Sequence, residues 1–86
     1  MEEVVETQVF VGIDVSKERL DAALRPRDES FNVANNPRGI AALIKRLKKW
    51  RVSRIVLEAS GGYEIAAACD LAAAGLPVGA GRALPV

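Results

Sequence analysis

The stretch Val9-Phe10-Val11-Gly12-Ile13-Asp14 is an apolar run that closes on a carboxylate, and Ile55-Val56-Leu57-Glu58 repeats the arrangement later in the chain. Core packing does not explain an acid in such a place, because a buried unpaired carboxylate is destabilising by several kcal/mol or neutralises itself. Asp14 and Glu58 must therefore be capped, paired or coordinated. Either one alone is equally well explained by a turn or cap hydrogen bond, a common reason for Asp and Glu to end strands. The pair is more informative, since metal-dependent phosphoryl chemistry is built from acids placed in this way.

Working outward, the near-continuous apolar run over residues 9–15 suits a central strand covered on both faces. Residues 15–18 read as a turn, and residues 20–24 and 31–34 as short strands separated by Arg25-Pro26-Arg27-Asp28-Glu29, giving an antiparallel three-strand meander. Asn36-Pro37 is a helix start, with Asn as the N-cap and Pro where its missing N–H is harmless. The helix is expected over residues 37–50, with Ile40, Leu43, Ile44 and Leu47 as its apolar stripe and Lys45, Arg46, Lys48 and Lys49 mostly on the remaining circumference. A fourth strand follows at residues 54–58, then a tight Gly61-Gly62-Tyr63 turn, an Ala-rich helix over residues 63–74 closed by Gly75, and a fifth strand starting at residues 76–78.

This order implies an α/β fold with a mixed sheet, in which the fourth strand returns parallel to an earlier one through a right-handed crossover. If it pairs with the first strand, Asp14 and Glu58 stand at the same carboxyl end, on backbones about 4.8 Å apart. Ligand sites of open α/β sheets lie at that end. Gly12 shares a face with Asp14, leaving either room for a metal or phosphate or a place where a helix packs closely on the backbone.

With 86 residues, half of them apolar, the chain supports one small domain with a thin core, and a net charge of +1 singles out no partner. The distribution says more: acids crowd the first thirty residues, and none occurs from Ser30 to Leu57, where Arg38, Lys45, Arg46, Lys48, Lys49, Arg51 and Arg54 lie. The absence of histidine removes His-based triads and His-ligated zinc, so any metal would be held by oxygen ligands. Cys69 is the only cysteine and reads as a core residue, consistent with a reducing cytoplasm. No apolar run is long enough to span a membrane, and residues 1–7, which lack the basic start of a signal peptide, are expected to be flexible.

The segments Phe10-Val11-Gly12-Ile13-Asp14-Val15-Ser16-Lys17, Asn35-Asn36-Pro37-Arg38-Gly39-Ile40, Leu57-Glu58-Ala59-Ser60-Gly61-Gly62-Tyr63-Glu64 and Leu71-Ala72-Ala73-Ala74-Gly75-Leu76-Pro77-Val78 resemble the N-terminal domain of DEDD-type insertion-sequence transposases, relatives of the Piv invertase. The resemblance covers roughly residues 9–78. It implies a RuvC-like, ribonuclease H-like mixed sheet, with Asp14 and Glu58 as the first two acids of a tetrad that binds Mg²⁺ or Mn²⁺ for DNA cleavage and strand transfer. It further implies DNA as partner, a guide RNA in some members, and a homo-oligomer when the protein is complete. The family's other two acids and its serine-bearing domain have no counterpart here, and Gly79-Ala80-Gly81-Arg82 departs from the family's apolar strand. The chain is thus expected to be a partial domain, truncated at its C-terminus, with an incompletely ligated metal and no activity of its own.

Lys17, in the turn after Asp14, could approach a phosphate or be a solvated turn lysine. Gly61-Gly62 could bring backbone N–H groups to a phosphate at a helix start, or simply make a turn. Lys45, Lys48 and Lys49 could contact nucleic-acid backbone or form an ordinary charged helix face, and Tyr63 could stack on a base or pack. Two other classes compete with a transposase. A non-catalytic nucleic-acid or protein binding module would use the basic helix alone, and an actin-like ATPase is disfavoured because Val15-Ser16-Lys17 stands where a phosphate loop needs glycine.

Overall fold

The computed structural model of the protein describes residues 8–59 and 61–80. In chain order the elements are β1 (Gln8–Val15), β2 (Arg19–Arg25), β3 (Glu29–Ala34), α1 (Pro37–Leu47), β4 (Arg51–Glu58), α2 (Ile65–Ala73) and β5 (Val78–Ala80). They form a mixed α/β fold around one five-stranded sheet of order β3-β2-β1-β4-β5. β1 to β3 are the expected antiparallel meander, and β4 joins β1 in parallel, as does β5 to β4. The expectation of flexibility for residues 1–7 lies outside the described residues, as does the segment beyond Ala80.

The core is a single layer between the sheet and the two helices. It takes Val9, Val11, Ile13 and Val15 from β1, Leu20, Ala22 and Leu24 from β2, Ile55 and Leu57 from β4, and Ile40, Leu43, Leu47, Ala67 and Leu71 from the helices. No polar or charged side chain is buried among the described residues. Here the sequence expectation for β1 is corrected: the strand alternates strictly between buried and exposed positions, with Phe10 half exposed, rather than being covered on both faces. The chain steps from β3 to β4 and from β4 to β5 in the same direction along the sheet, and right-handed crossovers taken in one direction place both helices on one face. The opposite face is open among the described residues, and a Cβ at Gly12 would meet nothing within 4 Å. Gly12 is therefore not a point of helix packing.

α1 begins as its sequence dictates. Asn36 caps it by accepting the Gly39 N–H at 2.7 Å, and Pro37 occupies the first turn. It ends at Leu47, earlier than the expected residue 50, because Lys49 and Trp50 donate three residues back, to the Arg46 and Leu47 carbonyls, and tighten the chain into a turn. α2 stops in a Schellman arrangement: Leu76 N–H donates to Leu71 O at 3.1 Å and Gly75 N–H to Ala72 O at 2.9 Å, with Gly75 at φ +84°. Only Ala67 and Leu71 of this helix are buried, so Cys69, two residues round from Ala67, is exposed rather than in the core. In β5, Gly79 leaves room for the Arg54 side chain, whose Nε lies 3.0 Å from where a Cβ would stand. No helix among the described residues is long and apolar enough to cross a membrane.

Candidate functional site

The strand-end acids owe their position to register. β1 and β4 run parallel with Asp14 opposite Glu58, and β1 and β2 run antiparallel with Asp14 opposite Asp21, which in turn faces Asn32 of β3. Residues paired in register share a face, so Asn32, Asp21, Asp14 and Glu58 form one transverse row on the open side of the sheet. Below it the register places Ser30, Ala23, Gly12 and Val56, small side chains apart from the valine. The result is a shallow cavity of about 500 Å³ whose acidic lining is Asp14, Asp21 and Glu58 and which contains no cationic lining residue.

Three carboxylates at neighbouring positions repel one another unless a cation intervenes. Arg19 reaches Asp21, Nε to Oδ2 at 3.3 Å, but both side chains are largely exposed, so the pair contributes little. Among the described residues no ion pair is made by Asp14 or Glu58. Nor do three or more acidic, histidine or cysteine side chains gather closely enough to hold a metal ion there. The row is therefore an acidic rim. Asp14 and Glu58, with oxygen-only donors, fit a hard divalent cation as part of its shell and leave other positions to further ligands.

Asp21 and Asn32 escaped the sequence reading. The signal was available for Asp21: the short turn through Ser16-Lys17-Glu18 fixes an antiparallel register that puts residue 21 opposite residue 14. Asn32 follows only once the β2–β3 register is known. The β1–β2 turn itself is closed by Ser16, whose hydroxyl donates to Arg19 O at 3.0 Å and accepts Arg19 N–H at 3.2 Å. Lys17 stands exposed in this turn, at the carboxylate end of the sheet. Gly61 and Gly62, at φ +85° and +81°, take a backbone that L side chains rarely adopt, in the turn that leads from Glu58 to α2. Tyr63 is exposed, and Glu64, at the start of α2, keeps Oε1 buried without a partner among the described residues.

Asn35 ties this end together. Its Nδ2 donates to Ser16 O at 2.9 Å and to Tyr63 O at 3.2 Å, joining the β1–β2 turn to the turn before α2. Asn35→Ala is expected to lower stability by about 1–2 kcal/mol, through two lost hydrogen bonds. It should also speed amide exchange at Ile65 more than at Ile55, since the loss is local; equal acceleration at both would show that Asn35 supports the whole sheet instead.

The structure separates the basic helix from the acids. α1 starts beside the carboxyl end of β3 and returns to the amino end of β4, so its basic last turn lies at the opposite end of the sheet from Asp14 and Glu58. Lys45, Lys48 and Lys49 are all exposed, as their positions in the sequence require. No protein-family model matches the chain, and no curated protein matches its sequence.

Proposed function

We propose that this chain carries part of the metal-dependent catalytic site of a DNA transposase or recombinase, on a ribonuclease H-like sheet. The observation that carries the reading is the pairing of Asp14 with Glu58 at the carboxyl ends of neighbouring parallel strands, on the open sheet face, around a cavity that has no cationic lining residue. The sheet order, with β2 alone antiparallel to its neighbours, supports the fold assignment. Asp14 and Glu58 would hold Mg²⁺ or Mn²⁺ through their carboxylate oxygens. When bound, such ions activate an attacking oxygen and stabilise the leaving one in phosphoryl transfer. The residues of this chain fix the carboxylates on a rigid sheet, and the small side chains of Gly12 and Ala23 leave the adjoining floor low enough for a DNA strand to approach.

The test is metal-dependent DNA affinity. A labelled duplex titrated in Mn²⁺ and in EDTA should bind about fivefold or more tightly with metal, a usual size for coupling between sites. The difference should vanish in Asp14→Asn and in Glu58→Gln. Equal affinity with and without metal in the parent chain would refute the reading. Cleavage of linear and branched DNA is expected to stay at background, because two carboxylates do not fix a metal pair. Turnover abolished by Asp14→Asn would instead show that the ligand set is already complete.

A further inference from the structure

At the end of the sheet away from the acids, Trp50 is half buried and its indole N–H is fully shielded, with no acceptor among the described residues. Trp50 lines a cavity of about 350 Å³ together with Lys45, Arg46, Lys49, Ala42 and Glu29. The surrounding cations are held in place by aromatic rings: the Arg46 guanidinium lies 4.1 Å from the Phe31 ring centre and that of Arg27 4.0 Å from the Trp50 ring centre. Arg27 is also occupied by Glu29, Nε to Oε1 at 3.4 Å. That leaves Lys45, Arg46 and Lys49 around the cavity with no acidic partner among the described residues.

The negative end of the α1 dipole accounts for basic residues in its last turn. It does not account for a guanidinium stacked in a fixed orientation. That suits an anion with several oxygens, and a phosphate takes a planar guanidinium and ammonium groups together. The cations also continue along the chain past the cavity residues, with Lys48 and Arg51 exposed and no acidic residue anywhere from Ser30 to Leu57. A run of one sign longer than a single phosphate needs points to a polyanion.

We propose that Lys45, Arg46 and Lys49, beside the Trp50 ring, form a phosphate pocket for a nucleic-acid backbone, at the opposite end of the sheet from Asp14 and Glu58. The pocket needs no metal and stands whether or not the carboxylate reading holds. It positions a strand and reads no sequence, because it offers contacts to phosphate and none directed at base edges.

Trp50 is the only tryptophan in the chain, so intrinsic fluorescence reports on the pocket directly. Single-stranded oligothymidylate, titrated in EDTA, should change the Trp50 emission saturably, and inorganic phosphate at equal phosphate concentration should do so far more weakly. In Lys45→Gln/Lys49→Gln, the slope of log affinity against log salt should fall by about 1.4, the loss of two single-strand phosphate contacts. Arg46→Lys, followed by anisotropy of a labelled oligonucleotide, keeps the charge without the planar fork and should weaken binding about tenfold at unchanged slope.

The oligothymidylate titration is made in EDTA, where the metal site cannot act, so its failure is distinct from failure of the metal site. Anisotropy that rises with no change in Trp50 emission would place nucleic acid elsewhere and overturn the proposal. So would an unaltered salt slope in the double lysine variant. Inorganic phosphate binding as tightly as the oligonucleotide would replace the nucleic acid with a free anion.

Discussion

Gly39→Ala is expected to destabilise the chain by about 3 kcal/mol. Local propensity argues for the opposite sign, since Ala in a helix is favoured over Gly by about 1 kcal/mol. The structure decides against propensity: Gly39 is buried at the start of α1, and a Cβ there would collide with the Ala34 carbonyl at the end of β3. The obstacle is backbone rather than a flexible side chain, so relief requires α1 to move off the sheet. The same residue donates its N–H to the Asn36 cap at 2.7 Å, which fixes it from the other side. A domain of this size has a total stability of about 4–13 kcal/mol, so the loss is a large fraction of the whole. Urea denaturation should show a lower midpoint with an unchanged slope. A midpoint equal to or above that of the parent would mean that α1 sits further from β3 than described.

Asp14→Asn is expected to change stability in two directions, depending on metal. Without a divalent ion the substitution relieves repulsion between Asp14 and the acids opposite it, Asp21 and Glu58, and should stabilise the chain by about 0.5 kcal/mol. With Mn²⁺ at a hundredfold excess over its dissociation constant, the parent should gain about 2.7 kcal/mol by linkage and the variant close to nothing. The two melting curves therefore cross as metal is added. Glu58→Gln should behave alike, whereas Asp28→Asn, in the β2–β3 turn at the other end of the sheet, should leave the metal response intact. A metal-induced shift of equal size in the parent and in Asp14→Asn would place the ion elsewhere. No shift in the parent would remove the metal site altogether.

The sequence was legible where a local rule has one physical solution. Asn36-Pro37 specifies a helix start because only a cap and a residue without an N–H suit that position, and Gly75 specifies a helix end because only glycine takes its positive φ freely. The Ile40, Leu43, Leu47 spacing could bury only one side of α1. The apolar run before Asp14 and the one before Glu58 could be little other than strands, and the crossover rule then made those strands parallel.

What lay beyond local pattern was decided by tertiary structure. An apolar run such as that in β1 has the same composition whether one face or both are covered, and only the side taken by both helices left Phe10, Gly12 and Asp14 on the open face. Cys69 belongs to an Ala-rich helix that reads as apolar all round, so its exposure depended on which short stripe, Ala67 and Leu71, met the sheet. Asp21 and Asn32 joined the acidic row through strand register, and the basic turn of α1 was carried to the far end of the sheet by the helix's direction. Sequence thus determined the elements and which residues are acids at strand ends, because these follow from contacts within a few residues. The row of carboxylates and its separation from the basic pocket arise from pairings between segments far apart in the chain, which only the folded sheet brings into register.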